Sequence, residues 1–261
     1  MLKIQGITKT FFPGTVNERC ALAGIDLHLE PGDFVTIIGS NGAGKSTLLN
    51  AISGRLPVDA GTVTVAGTDV TRLPEHKRAK VVGRVFQDPM AGTAPNLTIE
   101  ENLAMAYQRG KSRGLGLALN GRRRALFKEE LAKLELGLDN RLTARVGLLS
   151  GGQRQALSLL MAGFTQPQVM LLDEHTAALD PQRAELVTDL TRCIVAEGNL
   201  TTLMVTHNMA QALSVGNRLI MMHEGRIIYS ADAVTKAQLT VEDLMAEFAK
   251  IKGVSDRTLL Q

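Results

Sequence analysis

Apolar and polar residues alternate through the first third of the chain, and this pattern predicts short strands separated by turns. Residues 2–7 are predicted to form an edge strand, and the turn that follows it spans Thr10 to Gly14. A continuous apolar run from Phe34 to Ile38 is typical of a strand that is buried on both faces. Three further strands are predicted here: Cys20–Leu29, Gly61–Gly67 and Val81–Phe86.

From about residue 98 to 165 the apolar positions follow a helical period, and after Pro167 strands and helices alternate. The first stretch predicts helices at Ile99–Tyr107, Arg124–Leu136 and Gln153–Phe164. The second predicts strands at 169–172 and 202–206, helices at Pro181–Ala196 and 208–215, a hairpin at 218–229 and a helix near Val241–Ile251. We therefore expect an α/β domain over residues 2–230, with a helical insert at about 98–165, and a helical tail over residues 231–261.

The bulk composition narrows the class of protein. A net charge of +3 over 261 residues is too small to indicate a nucleic-acid partner. There is neither a signal peptide nor an apolar run of the about 18 residues that span a membrane, so a cytosolic location is expected, with any membrane role coming through a partner. Cys20 and Cys193 lie far apart, which predicts small buried side chains in a reducing compartment.

A basic cluster lies in a glycine-rich part of the helical insert, and its members are Lys111, Arg113, Arg122, Arg123 and Arg124. A solvated loop and helix start is the interpretation that we favour. Contact with lipid headgroups is the alternative, because anionic headgroups attract such clusters.

One stretch carries specific chemistry. Between the apolar strand ending at Ile38 and the helix pattern at Leu48, the chain matches G-x-x-x-x-G-K-[ST]. Its glycines allow the backbone to curl around a polyphosphate, and the following helix start adds a positive dipole end. Lys45 is placed to reach the β- and γ-phosphates, and Ser46 to ligate Mg²⁺. The predicted triphosphate-binding residues are Gly39, Ser40, Asn41, Gly42, Ala43, Gly44, Lys45, Ser46 and Thr47.

Two acids follow the predicted strand at 169–172. The carboxyl end of a buried parallel strand lies beside the phosphate loop in folds of this type. We expect Asp173 to hold Mg²⁺ through the water shell of the ion and Glu174 to polarise the attacking water.

The segment Leu149-Ser150-Gly151-Gly152-Gln153 reads as a second phosphate site. Ser150 is a suitable cap for the helix that follows, and the glycines leave backbone N–H groups open to an anion. The predicted contacts are Ser150, Gly151, Gly152 and Gln153. A chain with two half-sites indicates two copies that face head to tail, each completing the other's pocket.

With this L-S-G-G-Q segment, the chain resembles the ATP-binding cassette (ABC) ATPases over roughly residues 2–230. The resemblance implies a P-loop NTPase core (RecA-like) with an N-terminal antiparallel β-subdomain and an inserted α-helical subdomain. It also implies that Phe11, or else Phe12, stacks on adenine, that Gln87 contacts Mg²⁺ or water, and that His207 contacts the γ-phosphate. One departure is His175, where most relatives have proline. It is either a neutral packing residue or a modulator of Glu174.

The function that the resemblance implies is the ATPase subunit of an ABC importer, using ATP and Mg²⁺. The implied partners are a second ATPase chain (a homodimer or a heterodimer with a related ATPase), integral-membrane permease subunits and a secreted or periplasmic solute-binding protein. The implied location of the subunit is the cytoplasmic face of the inner membrane. The implied transported molecule is a small organic solute such as an amino acid. An exporter or cell-division ATPase, and a soluble ABC ATPase, are the alternatives. Residues 88–90 and 96–99 are the predicted lining of a permease-docking groove.

Overall fold

The computed structural model describes residues 1–111 and 118–258, which fold into two sheets and surrounding helices. The strands are β1 Leu2–Phe11, β2 Arg19–Leu29, β3 Phe34–Gly39, β4 Ala60–Val65, β5 Thr68–Asp69, β6 Val82–Val85, β7 Val169–Asp173, β8 Thr201–Val205, β9 Arg218–His223 and β10 Arg226–Ala231. The helices are α1 Lys45–Ser53, α2 Glu75–Arg78, α3 Ile99–Tyr107, α4 Gly121–Ala132, α5 Gly151–Gly163, α6 Pro181–Glu197, α7 Met209–Ser214, α8 Ala233–Lys236 and α9 Val241–Thr258.

The smaller sheet is antiparallel, with strand order β2-β1-β4-β5. Strand β1 lies inside it, because Leu2 pairs with Leu29 of β2 on one side and with Val65 of β4 on the other. The prediction of an edge strand at residues 2–7 is therefore wrong. Alternation reports which face of a strand is buried, and it carries no information on how many neighbours the strand has.

The larger sheet has the order β10-β9-β3-β8-β7-β6, and its strands are parallel except for the β9–β10 hairpin. Strand β8 lies between β3 and β7, so the carboxyl ends of β3, β7 and β8 meet at one edge. This edge is where a parallel sheet presents its functional loops. The predicted α/β class is confirmed.

Helices α3, α4 and α5 pack around an apolar cluster of their own. Phe127 is fully buried in this cluster, and the partly buried Tyr107 and Phe164 pack against it, with all three rings edge to face and ring centroids 5.7 to 6.1 Å apart. Helix α3 has its predicted bounds. Helix α4 begins three residues before the predicted Arg124, because the side chain of Asn120 caps it by accepting from the Arg123 N–H.

The C-terminal segment packs on the large sheet. Leu244 of α9 is fully buried in a cluster with Ile38 and Met221. Lys236 at the end of α8 is 5% exposed, and its Nζ donates to the Val215 carbonyl and to the Thr36 hydroxyl. The segment after residue 230 is therefore anchored to the sheet by both apolar contacts and a buried cation.

The two cysteines do not lie where the sequence predicts. Cys20 and Cys193 are exposed, so the prediction that they are buried is wrong, because each faces solvent from its strand or helix. In the basic cluster, Arg124 binds Glu100 through two hydrogen bonds and Lys111 lies 3.3 Å from the Tyr107 ring centroid, while Arg113 is outside the described residues. Across residues 1–111 and 118–258, no helix combines the length and apolar character that crossing a bilayer requires.

Candidate active site

The loop between β3 and α1 is shaped by close backbone approach. Gly44 has φ of 98°, and a Cβ there would lie 2.3 Å from the carbonyl oxygen of Ala21. A Cβ at Gly39 would lie 2.3 Å from the Met222 carbonyl oxygen. Only glycine fits such positions. Helix α1 has no side-chain N-cap, so its first N–H groups face the loop cavity without a competing side-chain acceptor.

Lys45 lies inside this loop and is 6% exposed. Its Nζ donates to the carbonyl oxygens of Gly39 at 2.7 Å and Ser40 at 3.0 Å. Burial lowers the pKa of its ammonium group, and the nearby carboxylates of Glu174 and Asp173 oppose that shift. The loop thus holds a cation whose carbonyl partners can be exchanged for phosphate oxygens.

The oxygens of Ser46 and Asp173 meet where β7 ends. The Ser46 hydroxyl donates to Asp173 Oδ1 at 3.1 Å. A hydroxyl and a carboxylate are hard oxygen donors, and Mg²⁺ takes one or two such protein ligands while keeping waters and phosphate oxygens. Within the described chain, no group of three metal-ligating acids, histidines or cysteines occurs. The donor set fits an ion that is held largely by a bound polyphosphate.

Glu174 and His207 form a second pair at the same edge. Glu174 has φ of 46°, and its N–H donates to the Val205 carbonyl at 3.0 Å, which fixes this turn against the end of β8. His207, which follows β8, places Nδ1 3.5 Å from Glu174 Oε2. The Glu174 side chain is 19% exposed, so it remains reachable by water and ligand.

A cavity of about 250 Å³ lies between the phosphate loop and Glu174, and it is lined by Phe11, Arg19, Ala21, Asn41, Gly42, Ala43, Gly44, Lys45, Ser46, Thr47 and Glu174. Phe11 is in this lining, whereas Phe12 is 67% exposed and is not. Arg19 is a site residue that the sequence analysis missed. Its Nη2 donates to the Gly42 carbonyl at 2.9 Å, and it lies opposite Phe11 in the β1–β2 register. That register, and not any motif, is the signal that identifies it.

Nine predicted site residues lie outside the cavity lining, and they are Gly39, Ser40, Gln87, Ser150, Gly151, Gly152, Gln153, Asp173 and His207. Gln87 is exposed just beyond β6. The segment of Ser150, Gly151, Gly152 and Gln153 opens α5, where the Ser150 side chain accepts from the Gln153 N–H in a capping box. The Gln153 side chain donates to the Leu136 carbonyl at 3.4 Å. The predicted capping role of Ser150 is confirmed, and the segment does not line the cavity beside the phosphate loop of its own chain.

His175 is 1% exposed and bonds to Thr191 of α6, with Nε2 2.9 Å from Oγ1. The Thr191 hydroxyl donates to the Val187 carbonyl at 2.7 Å, so it accepts the proton of His175 Nε2. Burial lowers the pKa of His175 to about 4. His175 is therefore a neutral residue that packs the turn after Glu174 onto α6.

A phosphate loop between a parallel strand and a helix, with acids at the end of a nearby strand, defines the P-loop NTPases. Within that class, the chain belongs to the ABC transporter family, whose sequence profile matches residues 22–177. It is an ATP-binding cassette ATPase.

Two relatives and one solved structure illustrate the likeness. A tyrosine transport ATP-binding protein of Clostridioides difficile is 46% identical over 95% of this chain and 98% of its own length. A phosphonates import ATP-binding protein of Frankia casuarinae is 35% identical over 87% of this chain and 88% of its own. A dimeric ATP-binding cassette, solved in a post-hydrolysis state with ADP and Pi, superposes with a TM-score of 0.76 at 30% identity. That match covers 89% of this chain and 99% of the solved one.

Proposed function

We propose that this chain hydrolyses ATP at the cavity beside Lys45, with Glu174 as the base that activates water. The observation that carries the proposal is the meeting of Glu174 and the phosphate loop in one cavity, with His207 Nδ1 3.5 Å from Glu174 Oε2. Glu174 accepts the proton of the attacking water, and His207 orients the γ-phosphate. Gln87 is the further proposed catalytic residue, and it would contact a bound metal ion when the helices close on the core.

The remaining groups of the cavity bind and orient the nucleotide. Phe11 stacks on adenine, and the loop N–H groups together with Lys45 hold the phosphates. Ser46, Asp173 and Gln87 are the proposed metal-site residues. Mg²⁺, when bound, neutralises negative charge on the phosphate oxygens.

The complete site requires two chains. The signature residues Ser150 to Gln153 are outside the cavity lining of their own chain, although their helix start is suited to an anion. A second copy in head-to-tail orientation supplies them to the γ-phosphate. The dimeric state of the solved relative supports this arrangement.

A direct contact connects the signature helix to the Gln87 segment. Gln155 of α5 is fully buried, and its Nε2 donates to the Phe86 carbonyl at 3.1 Å, one residue before Gln87. Closure of the dimer on a γ-phosphate therefore moves α5 and the Gln87 loop together. Loss of that phosphate on hydrolysis removes the contact that favours the closed state.

A groove of about 1110 Å³ beside α2 and α3 is the proposed docking place for a cytoplasmic helix of a permease. Leu97 and Met105 line it and are 37% and 50% exposed. The prediction that Ile99 lines this groove is wrong, because Ile99 is fully buried among α3, α4 and α5. The segment 88–90 is not part of this groove, and neither are Asn96 and Thr98, so Leu97 is the predicted residue that lines it.

The proposed cargo is a small organic solute of the amino-acid kind, taken up from outside the cell. The nearly full-length likeness to a tyrosine transport protein supports this class of solute. The chain would act at the cytoplasmic face of the cell membrane with permease subunits and a secreted or periplasmic solute-binding protein. ATP-dependent extrusion is the competing direction.

The substitution Glu174→Gln tests the catalytic part of this proposal. It should lower the ATP hydrolysis rate by at least about 100-fold, because a general base contributes 10²–10⁴-fold. Binding of a fluorescent ATP analogue should stay within about twofold of wild type, because the amide keeps the shape of the side chain. Glu185→Gln, at an exposed position of α6, is the matched control and should hydrolyse normally. Normal turnover in Glu174→Gln would contradict the assignment.

Reconstitution with the permease and binding protein tests the transport part. Vesicles that contain the complex should accumulate labelled tyrosine or a related amino acid when ATP is supplied on the cytoplasmic side. Glu174→Gln should abolish accumulation. Loss of preloaded solute in an ATP-dependent manner would instead show extrusion and overturn the direction proposed here.

A further inference from the structure

Arg19 of β2 lines the cavity beside the phosphate loop and has no part in the scheme above. It pairs with Phe11 across β1 and β2, and its Nη2 donates to the Gly42 carbonyl at 2.9 Å. A Cβ added to Gly42 would lie 2.3 Å from Nη2, so the guanidinium lies directly against the turn of the loop. Arg19 thus reaches from the strand pair that carries Phe11 to the middle of the phosphate loop.

The guanidinium of Arg19 has donors to spare. Arginine carries five N–H donors, and the Gly42 carbonyl is the one acceptor that they contact among residues 1–111 and 118–258. No carboxylate in those ranges forms an ion pair with Arg19. The residue is also exposed, so it is not a buried structural cation. Its remaining donors are therefore available to an anion that enters the cavity.

The place of the guanidinium selects one part of a nucleotide. In the proposed function, Phe11 holds the base and Lys45 holds the terminal phosphates. The ribose and the α-phosphate connect these two ends, so they pass the cavity wall between Phe11 and the loop, where Arg19 lies. A guanidinium matches both the charge and the geometry of phosphate oxygens, whereas a ribose hydroxyl offers no charge.

We propose that Arg19 binds the α-phosphate of the nucleotide while one of its N–H groups stays on the Gly42 carbonyl. The inference rests on the proposed function, because it assumes that a nucleotide occupies the cavity with its base on Phe11. ATP and ADP both carry an α-phosphate, so the contact holds both. Arg19 is therefore a nucleotide-binding residue that still holds ADP after the γ-phosphate has left.

The test measures three affinities in Mg²⁺, by competition against a fluorescent ATP analogue. The competitors are ADP and two ADP derivatives, in which a methyl group replaces a non-bridging oxygen of the α-phosphate or of the β-phosphate. Arg19→Gln should weaken ADP binding roughly tenfold, because a charge-assisted bond to phosphate is lost. It should weaken the α-methyl derivative less than about threefold, since that ligand lacks the anionic group. The β-methyl derivative should lose as much as ADP.

Arg226 provides the matched control. It is exposed on β10 and follows Gly225, whose N–H donates to the Ala43 carbonyl of the phosphate loop at 3.0 Å. Arg226 does not line the cavity, so Arg226→Gln should bind all three ligands as wild type does. Arg19→Lys keeps the charge without the planar fork, so its ADP affinity should lie between those of wild type and Arg19→Gln.

The outcomes separate this inference from the proposed function. If the wild-type chain binds neither the ATP analogue nor ADP, the proposed nucleotide site fails. If it binds both, and Arg19→Gln binds ADP equally well, only the inference about Arg19 is overturned. An equal loss for ADP and both derivatives would overturn it as well, because Arg19 would then act by fixing the loop through Gly42. A loss that is confined to ligands with an anionic α-phosphate supports the contact.

Discussion

At the residue scale, Phe11 and Phe12 are adjacent in sequence but have different surroundings. Phe11 lines the cavity beside the phosphate loop, whereas Phe12 has φ of 52° and is 67% exposed. We predict that Phe11→Ala weakens binding of a fluorescent ATP analogue roughly tenfold, since a stacked base is worth about 1–3 kcal/mol. Phe12→Ala is the matched control and should bind as wild type. The reverse pattern would assign the stacking to Phe12.

Single residues divide into those that a motif reveals and those that it does not. Lys45, Ser46 and Glu174 were predictable, because short-range spacing after an apolar strand determines where they lie. Arg19 and Arg84 were not, because their contacts depend on strand register and sheet order. Arg19 reaches the loop only through pairing opposite Phe11, and Arg84 forms an ion pair with Asp173 only because β6 lies beside β7.

At the element scale, the start of α3 was predicted at the residue that follows its cap, whereas α4 and α5 begin three and two residues before their predicted starts. Thr98 and Ser150 each form a capping box with the residue three positions later, and the chain enters a helix at the next residue. The neighbours of a strand within its sheet, and the face of a helix that solvent reaches, were less predictable. The interior position of β1 and the exposure of Cys193 depend on tertiary contacts that no local pattern contains.

Helix α3 and the residue before its cap define the groove that the proposed permease helix would occupy. We predict that Leu97→Asp preserves ATP-analogue binding but reduces co-purification with the permease and solute uptake at least about tenfold, because it buries a charge in an apolar contact. Met245→Asp is the control, since Met245 is 59% exposed on α9, which does not contribute to this groove. Normal association and uptake by Leu97→Asp would exclude this face as the docking surface.

At the scale of the whole molecule, Lys236 connects the C-terminal segment to the large sheet. Burial lowers the pKa of its ammonium group from 10.5 to about 8. Between those values the unfolded chain holds a proton that the folded chain has released, so the contribution of Lys236 to stability rises with pH across this window. Below about pH 8 both states are charged, and the penalty of burying the charge is fully present.

Lys236→Met isolates this effect, because the other titrating groups cancel in the comparison. The free energy of unfolding in urea, measured for both proteins from pH 7.5 to 10.5, should shift in favour of the wild type as pH rises. A difference that stays constant, or that falls with pH, would contradict the assignment of a buried, weakly basic Lys236.

The central claim is that one chain supplies the phosphate loop and a second supplies the signature to each ATP. Asp173→Asn and Ser150→Arg should each inactivate their homodimer, since every site then carries a lesion. A mixture creates heterodimers with one doubly altered site and one intact site. Equal mixing should therefore restore roughly a quarter of the wild-type hydrolysis rate, because half the dimers are mixed and each has one working site of two. Failure to recover activity, with mixed dimers demonstrated by native mass spectrometry, would contradict the shared site.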